Sequence, residues 1–259
     1  MAGPTAQSPR CRGDRLLPNL TAVVPDHIDV KQEGPAAAPQ FLLVFQSAVA
    51  NDGAGPLTLV GERPGSGQHD LMVRQLIQCS AGPPESHPGA GVMGYENEPP
   101  YPHWHVLGFD LFELRALAPG TAPRRSRKVG FCPADVARVV LPFPYELAHS
   151  PPSRVFDDYL ATECAAGNPV AVRVVSGISV GFADIYAAYV EGQYIDLTGL
   201  RAGTYRLINE ANPQGSLLEQ GYDDDVAGVE VAISWPGGPQ SAPKVALGPA
   251  CLGRRACRA

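Results

Sequence analysis

Short apolar runs punctuated by turn residues recur along the chain from Leu17 onward. Residues 41–49 (FLLVFQSAV) are almost continuously apolar and close on Asn51-Asp52-Gly53, the pattern of a strand running into a turn. Residues 57–60 and 71–79 repeat it, separated by Gly- and Pro-rich loops. Residues 80–102 hold six prolines and several glycines and read as a long irregular segment. The longest expected strand covers 103–117 (HWHVLGFDLFELRAL), with others at 128–131, 171–175, 194–197, 204–209 and 228–235. One short helix is expected at 133–139, where Pro133 would take a favourable first-turn position. Residues 1–16, rich in Pro, Gly and Arg, read as a disordered arm. No repeat or linker divides residues 17–259, which are expected to form a single domain. The pattern predicts a mainly β fold: a β-sandwich core with long Gly/Pro-rich loops and few short helices.

Composition supports this reading, because 28 Gly and 27 Pro in 259 residues oppose a helical bundle. The chain is long enough to bury a core without help from a metal or from oligomerisation. A formal net charge of -6 argues against nucleic acid as a partner, since such binders carry a basic patch or stripe. It tilts encounters toward cationic ligands such as amines or lysine-rich peptides. No stretch reaches the roughly 18 apolar residues of a membrane span, and residues 1–15 lack the apolar region of a secretion leader.

Cys11, Cys79, Cys132, Cys164, Cys251 and Cys257 contain no C-x-x-C pair and no zinc-type spacing. Their even number suits up to three disulfides in an oxidising compartment, with free buried thiols as the alternative. Spacing does not fix the pairing, although Cys251 and Cys257 are close enough for a tail loop; Cys132 with Cys164 is a second expected pair. The protein is thus expected to be secreted, its leader removed or omitted. Asn19-Leu20-Thr21 matches a glycosylation sequon.

The chemistry starts at Tyr101-Pro102-His103-Trp104-His105. Alternate residues of a strand share a face, so His103 and His105 would project together, and imidazole suits copper and zinc. Taken alone, the pair also fits two structural histidines.

Several short segments, in order, resemble the lysyl oxidase family from about Leu17 to Trp235. Leu17-Pro18-Asn19-Leu20, followed by Val24-Pro25-Asp26, is similar to the L-P-D-L opening of the family's catalytic domain. Lys128-Val129-Gly130-Phe131-Cys132 looks like its K-x-x-F-C segment. Residues 177–198 (GISVGFADIYAAYVEGQYIDLT) are similar to G-[IL]-S-x-G-x-x-D-x-Y followed by Q-[WY]-I-D-[IL]-T. Gly203-Thr204-Tyr205-Arg206-Leu207, Asn212-Pro213 and the acidic loop 219–225 continue in register. The Gly-, Pro-, Ala- and Arg-rich composition suits a bacterial-type member.

The resemblance implies an amine oxidase that uses molecular oxygen to turn primary amines, free or as peptidyl lysine, into aldehydes, ammonia and hydrogen peroxide. It implies copper and lysine tyrosylquinone, a cofactor made from the enzyme's own side chains, with the lysine falling on Lys128 and the tyrosine on Tyr186. Asp184, two residues before Tyr186, is the candidate base that takes a proton from the substrate carbon. Each has a plainer reading. Lys128 follows Arg124, Arg125 and Arg127 and could be one more solvated charge; Tyr186 could be a core aromatic; Asp184 could be a turn carboxylate.

One departure from the family pattern bears on catalysis. The family's copper motif is H-x-H-x-H, and here its first position is Tyr101, leaving His103 and His105. A neutral phenol is a poor ligand, with an ordinary pKa of about 10. A tyrosinate at Tyr101, or a loop histidine (His87 before His69 or His149), would complete the set. The alternative function is a non-catalytic secreted binding or structural relative on the same scaffold with a degenerate copper site. A zinc site on His103, His105 and a loop ligand ranks last, having no H-E-x-x-H motif. Asp223-Asp224-Asp225 with Glu219 reads as a solvated loop or a hard-cation site for calcium, without EF-hand spacing.

Overall fold

The computed structural model describes residues 11–99, 101–140, 146–148, 160, 162–188, 190 and 192–258. It opens with β1 (Arg12–Leu16), β2 (Leu20–Ala22) and β3 (Asp26–Glu33). The apolar runs become β4 (Gln40–Asn51), β5 (Leu57–Glu62) and β6 (Leu71–Ala81). The segment expected to be irregular instead carries β7 (Glu85–Glu96). Its Pro88 and glycines fall where the register slips, with Val73 facing Gly91 and Arg74 facing Pro88. A sheet tolerates a missing N–H and an unusual backbone at such a bulge.

The strand expected at 103–117 is in fact two, β8 (His103–Leu107) and β9 (Asp110–Ala116). Gly108 lies between them at a φ of 71°, a conformation that glycine adopts without a Cβ clash. β10 (Arg124–Arg125) and β11 (Gly130–Phe131) are short. No helix forms at 133–139; β12 (Ala137–Val140) lies there instead. The Pro133 carbonyl accepts from the Gly177 N–H and the Ser176 hydroxyl, and the Val136 N–H donates to the Ala183 carbonyl. Backbone groups committed to neighbouring strands are not available for helical bonds.

β13 (Glu146–Ala148) is followed by β14 (Arg173–Ile178), β15 (Phe182–Tyr186) and β16 (Tyr194–Asp196). β17 (Gly203–Ala211), β18 (Val226–Ser234), β19 (Lys244–Leu252) and a single helical turn, α1 (Arg254–Arg258), complete the described chain.

The described strands form three antiparallel sheets. The first runs β11-β8-β7-β6-β5-β14, with β1 also paired to β6. The second runs β10-β9-β17-β18-β19, and the third β13-β12-β15-β4-β16, with β2 and β3 also on β4. Their inner faces share one buried cluster. Phe45 of β4 meets Phe112 of β9 edge-on at 5.1 Å, and Phe112 meets Phe131 of β11 at 5.8 Å, so rings from all three sheets join. Each such ring, fully buried, contributes about 1.5–3 kcal/mol. The fold is mainly β, as the patterning predicts.

Cys132–Cys164 and Cys251–Cys257 are joined as expected, and the third bond links Cys11 to Cys79. The end of the expected arm is therefore ordered as β1, while residues 1–10 lie outside the described residues. Asn19 of the sequon is committed internally, its amide donating to Asp52 at 2.9 Å and Asp224 at 2.7 Å.

Candidate active site

Along β8 the side chains alternate. Trp104 and Val106 enter the core, and His103 and His105 share the opposite face. His105 is nevertheless only 5% exposed, because β11 closes over it. A Cβ on Gly130 would stand 2.7 Å from the His105 Cβ and 2.8 Å from its Nδ1, so glycine permits the approach.

Each imidazole has its proton assigned by an acceptor. His103 Nδ1 lies 2.6 Å from the Tyr101 carbonyl oxygen, which can only accept, so that nitrogen carries the hydrogen. His105 Nδ1 is in direct contact with the Glu96 carboxylate. Burial, then His103 and Lys128, push the His105 pKa down to about 3. His105 is therefore neutral near pH 7, with its hydrogen on Nδ1. The two Nε2 atoms, both left with lone pairs, face each other at 2.7 Å. At that separation a proton fits between them, whereas a metal ion about 2.0 Å from each nitrogen would sit to one side of the line that joins them. Imidazole nitrogen suits copper.

Lys128 enters from beside β11, its N–H donating to the Gly192 carbonyl at 3.2 Å. Its Nζ lies 5.1 Å from the Tyr186 ring centroid and 5.2 Å from that of Phe131. Tyr186 ends β15, two residues after Asp184, so both point the same way. The Tyr186 hydroxyl accepts from the Cys132 N–H at 2.9 Å and donates to Asp184. Burial, followed by the Asp184 charge, drives the Tyr186 pKa well up. Asp184 is 2% exposed, burial raises its pKa well above the ordinary range, and its Oδ2 has no hydrogen-bond partner. Asp110, buried at the start of β9, is raised in the same way, by burial and then by Asp184 and Glu210, against the Leu111 N–H.

The Cys132–Cys164 bond braces both halves of the site. Cys132 supplies the donor to Tyr186, and the Cys164 carbonyl accepts from the Trp104 N–H, between the histidines, at 3.0 Å. A cleft of about 1070 Å³ opens beside His105 and Lys128, bordered by Tyr95, Glu96, Glu98 and Tyr194.

The remaining candidate ligands lie apart from this centre. Tyr101 is half exposed, its ring 5.4 Å from that of His103. Partial burial, and then a bond to Glu163, raises its pKa and keeps the phenol protonated. His87 faces Gln75 at the other end of β7, whereas Gly94 faces His105; that is roughly 20 Å along the strand. His69 is exposed on the β5–β6 turn, and His149 lies outside the described residues. Among the described residues no group of three or more His, Cys, Asp or Glu is arranged to hold a metal. Glu219 and Asp225 are buried rather than solvated, 6% and 0% exposed, and Asp224 accepts from Asn19 and Thr21.

Sequence reasoning did not single out Glu96 or Asp110. Glu96 sat in a segment expected to be irregular, and Asp110 in one expected to continue a strand.

His103 and His105 converge through their Nε2 atoms, and the Lys128 Nζ lies over the Tyr186 ring. Residues 161–235 match the family model described as Lysyl oxidase, which supports a lysyl oxidase family domain there. The match takes in Asp184 and Tyr186 and begins after His103, His105 and Lys128. No curated protein matches the chain.

Proposed function

We propose that this chain, with residues 17–259 as one domain, is a secreted amine oxidase dependent on copper and lysine tyrosylquinone. It acts on primary amines, free or as peptidyl lysine. Amine, oxygen and water become aldehyde, ammonia and hydrogen peroxide. The observation that carries this reading is the Lys128 Nζ, 5.1 Å from the centre of the Tyr186 ring. The three disulfides support an oxidising compartment.

In this reading His103 and His105 hold copper through Nε2, and Lys128 and Tyr186 furnish the quinone. Copper with oxygen would supply the oxidation of the tyrosine ring, and the finished quinone a sink for two electrons from the amine. Tyr101 occupies the first position of the motif and donates only when its phenol is released from Glu163. Asp184 orients the Tyr186 hydroxyl and, through its unpartnered Oδ2, takes the proton from the carbon bearing the substrate amine.

Calcium has a weaker basis. Both Asp225 oxygens are buried without a hydrogen-bond partner beside Glu219, but Arg254 already lies 3.6 Å away. A rise in melting temperature with added calcium would support it, and no rise would remove it.

The second reading, a non-catalytic relative, draws on the protonated Tyr101. Peroxide release from benzylamine, a diamine and a lysine peptide separates the two. Copper-loaded protein is expected to release peroxide, and Tyr186→Phe to release none. No peroxide from copper-loaded wild type on any of these amines would favour the non-catalytic reading.

A further inference from the structure

The two imidazoles are oriented by different means. His103 donates Nδ1–H to the main-chain carbonyl of residue 101, an acceptor that no side-chain change at that position removes. Replacing histidine by tyrosine there costs a ligand without costing His103 its orientation. Among the described residues His105 has no such backbone acceptor, and its Nδ1 is in contact with the Glu96 carboxylate.

The strand register explains how. Glu96 pairs with His103 and Gly94 with His105 across β7 and β8. Glu96, Gly94, His103 and His105 therefore lie on one face, with Glu96 diagonal to His105. Gly94 has no side chain to occupy the space directly opposite, so the Glu96 carboxylate reaches across to Nδ1.

We propose that Glu96 is a positioning residue of the metal centre. It fixes His105 with Nε2 facing the metal and adds a negative charge that offsets the missing third imidazole. This rests on the copper reading above. A carboxylate behind a ligating imidazole raises the basicity of its metal-bound nitrogen, and loss of such a partner typically weakens affinity about 10- to 100-fold.

The test is copper(II) titration of the metal-free protein against a chromophoric competitor, with electron paramagnetic resonance of each complex. Glu96→Ala is expected to bind about 10- to 100-fold more weakly, with altered nitrogen couplings. Glu96→Gln keeps an oxygen acceptor and loses the charge, so its affinity should fall between wild type and Glu96→Ala. The Glu96 side chain is 46% exposed, so metal-free Glu96→Ala should melt close to wild type, and a purely structural role would reverse that pattern. Wild-type copper affinity and spectrum in Glu96→Ala would overturn the role of Glu96 alone. Wild type that binds copper no better than His105→Ala would overturn both this role and the copper reading.

Discussion

Gly130→Ala probes how tightly β11 is fitted over His105. The added methyl would stand 2.7 Å from His105 Cβ, 2.8 Å from Nδ1 and 3.0 Å from Cγ. Ordinary contact begins at 3.4 Å, so the closest approach is short by 3.4 − 2.7 = 0.7 Å. His105 cannot swing away cheaply, since it is 5% exposed and held by Glu96. Either the ring shifts off its Nε2 alignment or β11 lifts from β8. Overpacking of this kind costs about 1–3 kcal/mol, which in a chain of this size lowers the melting temperature by roughly 2–4 °C per kcal/mol. Copper affinity should fall at least about 10-fold, the low end for disturbing a ligand's support. Gly65→Ala is the control, because its methyl would meet nothing within 4 Å. Calorimetry and copper titration of the three proteins give the answer. A Gly130→Ala protein with wild-type melting and wild-type copper affinity would refute the argument.

Other consequences are open to direct measurement. Tyr101→His restores three alternating imidazoles and should tighten copper binding by about 10-fold or more, each 1.4 kcal/mol being one decade; unchanged affinity in titration would place the third donor elsewhere. Asp225 and Glu219 are raised to about 7 and about 9 from 3.8 and 4.5, so both hold protons more tightly folded than unfolded. Their contribution is complete below about pH 4 and is lost as pH rises through 7 and then 9; Asp225→Asn should flatten the fall in melting temperature between pH 5 and 9, and an undiminished slope would contradict this. Removing the Cys132–Cys164 bond, which spans 32 residues, should cost about 3–4 kcal/mol by loop entropy and slow quinone formation, measured by its visible absorbance. Loss of stability with unchanged maturation would show that the bond does not brace the site.

The parts of the fold visible in the sequence were those set by local pattern. The apolar run at 41–49, closing on Asn51-Asp52-Gly53, reads as a strand running into a turn, and it is β4. Alternation at His103 and His105 gave a shared face correctly, because side-chain period depends on the strand alone. Features set by pairing between distant segments were not visible. Pro88 made β7 look irregular, and only the partner strand shows that it falls at a bulge. Gly108 ends β8, although glycine also occurs within strands. The segment 133–139 looked helical at Pro133, but distant strands claim its backbone.

At the site, Lys128 sits after three arginines and resembles them in charge. Arg124 bonds the Asp196 and Thr198 carbonyls and Arg125 bonds Glu113, while Lys128 turns inward over Phe131 and Tyr186. That difference follows from β10 and β11 joining different sheets. Motif resemblance pointed to Lys128 and Tyr186, and nothing in their local sequence would have paired them. Glu96 and Gly130 owe their importance to contacts with His105 that exist only once β7, β8 and β11 are aligned.

The central claim is that Lys128 and Tyr186 become one cofactor. Tryptic mass spectrometry after expression in copper-containing medium tests it most directly. The account predicts a peptide joining Lys128 to Tyr186 with the added quinone oxygen, absent from Tyr186→Phe. Unlinked peptides of unmodified mass, from protein confirmed to carry copper, would contradict it.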